Sequence, residues 1–177
     1  MILTKEAEFS LNRHRNAALA RLLDSCFPDT FEGRTYFKQR PHFRIFAESR
    51  GALIGQMGID FRVIGVGDSF MNIFGIVDLC VAPQSRGRGI GSFLIDEAER
   101  LAAAGQVDAM VAMADRHDLY AAKGYRNLNP ARCRWLAIDE RRSVDLIERD
   151  MTYCFLYKCL KPVTWPDGDI DLLGYLF

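Results

Sequence analysis

The segment Val81-Ala-Pro-Gln-Ser-Arg-Gly-Arg-Gly-Ile-Gly-Ser-Phe-Leu94 constrains this chain more than any other. Ahead of it runs Ser69–Val81, a stretch that reads as a strand and that Pro83 ends. Behind it, from about Gly89 to Ala104, apolar residues recur at helical spacing. Phe93, Leu94, Ile95, Ala98, Leu101 and Ala102 fall on or near one face, and Gly105 stops the run. A strand that feeds a helix through a turn holding Gly87, Gly89 and Gly91 commits the centre of the chain to a strand–turn–helix unit.

The flanking sequence predicts strands on both sides of that unit. Phe43–Glu48 and Ala52–Ile64 are apolar runs, punctuated by Arg50-Gly51 and by Gly65-Val66-Gly67-Asp68, so two antiparallel turns lead into Ser69–Val81. Gly55, Gly58 and Gly75 interrupt these strands and mark bulges or close backbone approaches. Towards the N-terminus, Ser10 reads as the cap of a helix carrying Leu11, Ala18, Leu19, Leu22 and Cys26, which Pro28 ends. Asp29–Arg40 fits a loop or a short helix. Later, Val107–Met113 reads as a strand, Asp115 as the cap of a short helix closed by Gly124, and Arg132–Ile138 and Met151–Leu160 as further strands. The whole is α+β, with one domain over residues 1–177 and a tail, 162–177, that mixes aspartates with large apolar side chains.

Composition narrows the function classes. The 177 residues carry 23 Lys+Arg against 23 Asp+Glu, so no global basic field draws in nucleic acid. No run approaches the roughly 18 apolar residues that span a bilayer, and the N-terminus MILTKEAEF has no secretory pattern. Five cysteines form no C-x-x-C pair and have no histidine at metal-ligand spacing. Reduced thiols in a cytoplasm, mostly as packing residues, and no metal are the expectation.

The chemistry of the turn follows from its backbone. The first N–H groups of a helix lack internal acceptors and carry partial positive charge. Glycines let that backbone come close to a ligand, so the turn suits a pyrophosphate, and Arg86 and Arg88 add charge for a diphosphate or a 3′-phosphate. A glycine-rich loop with no ligand is the alternative. A P-loop is excluded because Gly-Lys-Ser/Thr is absent. The dinucleotide fingerprint fails because the spacing here is G-x-G-x-G.

Val81-x-Pro83-x-x-Arg86-Gly87-x-Gly89-Ile90-Gly91-x-x-Leu94 resembles the acyl-CoA signature of the GNAT superfamily of N-acetyltransferases, with R-x-x-G-x-G on Arg86, Gly89 and Gly91. The resemblance implies that backbone amides of Arg86, Gly87, Arg88, Gly89, Ile90 and Gly91 hold the pyrophosphate of acetyl-CoA. It implies that Cys80 and Val81 hydrogen-bond its pantetheine arm. The resemblance also implies a central mixed sheet with helices on both faces.

Leu119-Tyr120-Ala-Ala-Lys-Gly124-Tyr125 is similar to the family's second signature, which implies that Tyr120 protonates the departing thiolate. Many members carry an asparagine about seven residues earlier, where this chain has Met113; His117 is a rival titrating group, more readily read as a surface residue. A base must also keep the attacking amine neutral. Asp78 is the acidic residue within Ser69–Val81, although the family's glutamate matches nearer Val77. Simple alternation puts Val77 and Leu79 on the face opposite Asp78 and Cys80, and a bulge would change that.

Two branches look similar beyond these motifs. Leu119–Tyr125 and Trp165–Asp169 resemble segments of aminoglycoside 2′-N-acetyltransferases, and Arg40–Arg44, the stretch around Ile54–Val66 and Trp165–Gly168 resemble the rhizobial nodulation N-acyltransferase. They imply an amino-sugar or aminoglycoside-like acceptor. The expected reaction is direct acetyl transfer from acetyl-CoA to a primary amine of a small molecule. A longer-chain acyltransferase, a non-catalytic acyl-CoA-binding module and a protein N-acetyltransferase stand as alternatives. Phe70 and Leu176, if exposed, are compatible with a homodimer.

Overall fold

The computed structural model describes residues 1–139 and 142–177 and divides the chain into two compact units. The first comprises residues 1–60 and 76–98, the second residues 61–75 and 99–177.

In the first unit, β1 (Ile2–Ala7) pairs antiparallel with β2 (Phe43–Ser49), from Ile2 opposite Glu48 to Ala7 opposite Phe43. The turn Arg50-Gly51 returns β2 onto β3 (Ala52–Val66), with Phe43 opposite Ile59 and a register shift after Ala47. β4 (Ser69–Val81) lies beside β3 in the sheet and spans the residues expected of it; residues 61–66 of β3 and 69–75 of β4 belong to the second unit. Between β1 and β2 lies α1 (Arg13–Cys26), which buries Leu19, Leu22 and Leu23 against Phe31, Phe46, Cys80 and Ala82. Each such leucine contributes roughly 1.5–3 kcal/mol by leaving water. The helix cap is Asn12, not Ser10: the Asn12 side chain accepts from the Arg15 amide at 2.9 Å, while the Ser10 hydroxyl donates to the Ala7 carbonyl in a preceding turn. Residues 29–40 form turns rather than a helix. The interrupting glycines mark close approaches: a Cβ on Gly58 would stand 3.0 Å from the Pro41 ring and 3.2 Å from Val77.

α2 (Ile90–Ala103) starts in the first unit and ends in the second. It buries Ile90, Leu94, Ile95, Ala98 and Ala102, but Phe93 is half exposed and lies off that face.

The second unit contains β5 (Ala109–Met113), α3 (Asp118–Ala122), β6 (Arg126–Asn127), β7 (Arg132–Asp139), β8 (Arg142–Asp150), β9 (Phe155–Cys159) and β10 (Ile170–Tyr175). β9 pairs antiparallel with β5 and β6, and β7 with β8. β10 inserts between β3 and β7, antiparallel to the first and parallel to the second, which makes the sheet mixed. α3 begins after His117, which makes no side-chain cap, so Asp115 does not cap it; Gly124 does close it, at φ +81°. The strand expected from Met151 begins only at Phe155, because Met151–Cys154 forms a turn closed by the Cys154 amide on the Met151 carbonyl.

The tail is pinned to this sheet by its apolar side chains. Ile170 and Leu172 are buried, and Trp165 packs against Phe155 and Tyr157 with ring centroids 5.7 and 4.6 Å away. A Cβ on Gly75 would stand 2.8 Å from the Phe177 ring. The Arg62 guanidinium lies over Tyr175 and Phe177 and donates to the Tyr175 carbonyl. Asp171 pairs with Arg134. Phe70 is 74% exposed, whereas Leu176 packs partly buried against the core.

Candidate active site

β4 ends in a short 3-10 turn over Pro83–Ser85, where proline at the first position suits the fixed backbone. The Ala82 amide still bonds to the Ile54 carbonyl of β3 at 2.9 Å. Arg86 Nε then donates to the Val81 carbonyl at 3.1 Å, tying the turn back to the strand end. Gly87 and Gly89 adopt φ of +74° and +75°, where an L side chain costs roughly 1–2 kcal/mol. A Cβ at Gly87 would meet nothing within 4 Å, and one at Gly89 only the Phe93 ring at 3.7 Å. Backbone conformation therefore demands these glycines, and the space before them is open.

The first α2 bond here runs from the Phe93 amide to the Gly89 carbonyl at 3.0 Å. The amides of Ile90, Gly91 and Ser92 thus have no acceptor within the helix and sit at its positive end. With Arg86 and Arg88 exposed beside them, the donors and the charge fit an anionic pyrophosphate. Gly55 lets this unit close up: a Cβ there would lie 3.1 Å from the Ile90 side chain and 3.2 Å from the Cys80 carbonyl. Among the described residues no group of histidines, cysteines and carboxylates could hold a metal ion.

All five cysteines are free thiols, as expected. Cys26, at the end of α1, bonds to the Val81 carbonyl at 3.5 Å and touches Cys80. That thiol contact, with help from Arg86, pulls Cys26 down to about 6; the same contact and burial push Cys80 up.

Asp78 departs from strand geometry. Its φ is +51°, a left-handed residue three positions before the end of β4, and Val77, Asp78 and Leu79 are all partly buried instead of alternating. Burial pushes its carboxyl up to about 6, against the opposing pull of Arg44, with Glu8 adding to the rise. A carboxyl that changes charge near pH 6 is suited to taking a proton near neutrality.

Tyr120 belongs to the second unit. It is buried on α3, packs edge-on against Tyr125 with centroids 5.4 Å apart, and accepts the Tyr125 and Lys123 amides on its carbonyl. Burial pushes its phenol up to about 12, so it holds its proton through the neutral range. His117 is exposed in part and sits 3.1 Å from the Tyr153 carbonyl. Asp78, Cys80, Val81 and Arg86–Gly91 thus share one strand–turn–helix run of the first unit, and Tyr120 stands on the second.

Sequence reasoning missed a buried polar group in the first unit. Arg44, fully buried on β2, donates from Nε to Glu8 at 2.7 Å, from Nη1 to Gln56 Oε1 at 2.8 Å and from Nη2 to the Thr35 carbonyl at 2.5 Å. Gln56 in turn donates to the Asp78 carbonyl. An arginine at an inward position of the apolar run Phe43–Ala47 was the available signal; its partners lie 9 to 36 residues away.

Residues 41–127 match the family described as the acetyltransferase (GNAT) domain. No curated protein matches the sequence. Among solved structures, a GNAT family N-acetyltransferase (YhbS) from Escherichia coli in complex with CoA is similar over 96% of this chain and 88% of its own, at 17% identity and a TM-score of 0.65. A GNAT family acetyltransferase from Brucella melitensis in complex with acetyl-CoA covers 96% and 94%, at 17% identity and 0.60. The ribosomal-protein-S18-alanine N-acetyltransferase from Escherichia coli covers 92% and 97%, at 11% identity and 0.60. At such identities the likeness establishes the fold, and the matched residues contain Asp78, the glycine turn and Tyr120. Residues 41–127 thus match the acetyltransferase (GNAT) domain, and the chain shares the fold of the GNAT structures it resembles.

Proposed function

We propose that this protein transfers an acetyl group from acetyl-CoA directly to a primary amine of a small molecule, with amino sugars the first class to test. The observation that carries the reading is the pairing, on one run of chain, of the open Gly87–Gly91 turn with the left-handed, elevated Asp78.

Backbone amides of Arg86–Gly91 hold the pyrophosphate, with Arg86 and Arg88 supplying charge. The Cys80–Val81 edge of β4 bonds the pantetheine arm, and an amide there polarises the acyl carbonyl. Bound acetyl-CoA supplies an activated thioester. The Asp78 carboxylate takes the proton that the acceptor nitrogen sheds, and the Tyr120 hydroxyl gives its proton to the departing sulfur. The acceptor as a small amine, self-association through a surface that includes the exposed Phe70, and a cytoplasmic setting for five free thiols belong to the same proposal.

Calorimetric titration with acetyl-CoA tests the donor site, comparing wild type with an Arg86→Ala/Gly89→Asp double variant. Binding by the first and loss in the second support it; absence of binding by wild type sinks it. A subsequent screen of amines, with longer acyl-CoAs and N-terminal peptides alongside amino sugars, decides the acceptor and acyl group.

A further inference from the structure

Asp78 is held by more than its own strand. Its carbonyl accepts from the Gln56 amide, and the other end of that amide accepts from Arg44. A guanidinium has only donors, so Arg44 forces Gln56 to present its oxygen on the arginine side and its NH2 towards Asp78. Arg44 is fixed in turn by Glu8 and by the Thr35 carbonyl, and Glu8 takes a second contact from Arg40 at 3.3 Å. Glu8, Arg44 and Gln56 are all buried, so this chain of bonds is shielded from water and stiff.

We infer that Gln56 and Arg44 are positioning residues for the proposed base. Arg44 sets the Gln56 amide, Gln56 holds the Asp78 backbone in its left-handed conformation, and the charges of Arg44 and Glu8 oppose one another at the Asp78 carboxylate. The inference rests on the reading of Asp78 as base. Three observations carry it. A non-glycine residue at φ +51° within a strand is strained and persists only where its surroundings hold it. Gln56 supplies that hold by donating to the Asp78 carbonyl. The charged groups acting on the carboxyl are Arg44 on β2 and Glu8 on the turn after β1, with opposite effects; Cys80, two residues along, remains a neutral thiol.

The two charges make the inference testable with opposite signs. Glu8→Gln keeps the shape but leaves Arg44 uncompensated, which favours the ionised carboxylate. Gln56→Glu can still accept from Arg44, but it cannot donate to the Asp78 carbonyl and adds negative charge beside it, which favours the protonated acid.

The experiment is a carbon-13 NMR titration of protein labelled at its aspartate carboxyls, with Asp78→Asn used to assign the signal. It needs no acceptor. The expected wild-type midpoint is about 6. It should move down in Glu8→Gln and up in Gln56→Glu, each by about half a pH unit or more. Midpoints that stay within about 0.2 units of wild type in folded variants overturn the inference, as do shifts of the same sign. Should Gln56→Glu fail to fold, Glu8→Gln decides alone by the direction of its shift. Turnover of Asp78→Asn is measured separately: if it equals wild type, the base reading falls whatever the titrations show.

Discussion

Arg86 Nε donates to the Val81 carbonyl across 3.1 Å, and that bond joins the end of β4 to the turn that follows it. It uses the Nε–H of the arginine, whose guanidinium keeps its positive charge beside the turn. Arg86→Ala should therefore weaken CoA binding in two ways, by loosening the turn and by removing charge. We expect a loss of about 10-fold or more in affinity, equivalent to at least ~1.4 kcal/mol. Gly89→Asp, which forces a carboxylate into the φ +75° position, should abolish binding and lower stability only by the roughly 1–2 kcal/mol of left-handed strain. Calorimetry and thermal melts measure the two effects separately.

Asp78→Asn should lower kcat by roughly 10²–10⁴-fold and remove an acid limb centred near pH 6, read from the pH dependence of kcat/KM. The same substitution should make the protein more stable at pH 7. The folded carboxyl titrates near 6 against an ordinary value of 3.8, so between those pH values the native state holds a proton that the unfolded state releases. Stability then falls as pH rises through that window and the penalty is fully present above it. Removing it should raise stability by roughly 1–2 kcal/mol at pH 7, once partial solvent screening is allowed for. Denaturant melts at pH 4.5 and 7 test this: the advantage of Asn should shrink at the lower pH.

Tyr120→Phe separates an enzyme from a binding module. Acetyl-CoA affinity should stay within about threefold of wild type, while kcat falls by about 10²-fold. Equal turnover by the two proteins would remove the phenol from the mechanism. Since burial holds the wild-type phenol at about 12, no alkaline limb below pH 10 should come from Tyr120.

Gly67 and Gly168 press together in the second unit. A Cβ at Gly67 would lie only 2.3 Å from the Asp167 carbonyl oxygen, and its φ is +53°; a Cβ at Gly168 would lie 2.6 Å from the Gly67 Cα. Backbone cannot swing aside as a side chain can. Gly67→Ala should cost about 2–4 kcal/mol, the sum of left-handed strain and overpacking, visible as a lowered midpoint in denaturant. Gly33→Ala makes the control: it has the same sign of φ but nothing within 4 Å, so it should cost only the strain.

Legibility in the sequence followed burial asymmetry and punctuation. β4 and α2 were readable to within a residue because proline and glycine bracket them and their apolar spacing is regular. β8 was missed because Arg142–Asp150 is a polar edge strand whose residues are nearly all exposed, so no buried face imposes a pattern. β10 was hidden by the mixture of aspartates and leucines in Asp169–Leu173, and β1 by its shortness and two charged residues. Within the site, the turn was legible because its constraints are local. The left-handed Asp78 and the Glu8–Arg44–Gln56 group were not, since they arise from pairings between strands. Ser10 and Asp115 show the cost of reading caps from residue type alone: each lies a few residues before the true start of its helix.

The insertion of β10 between β3 and β7 bears on how the chain is made. Ile170 pairs with Val66 and with Cys133, so the gap between two earlier strands stays empty until residues 170–175 leave the ribosome. Before that point the nascent sheet exposes two unsatisfied strand edges, the kind of surface that draws chaperones or neighbouring chains. Synthesis that stalls short of Ile170 should therefore yield a species prone to aggregation, even though the glycine turn and Asp78 have already emerged.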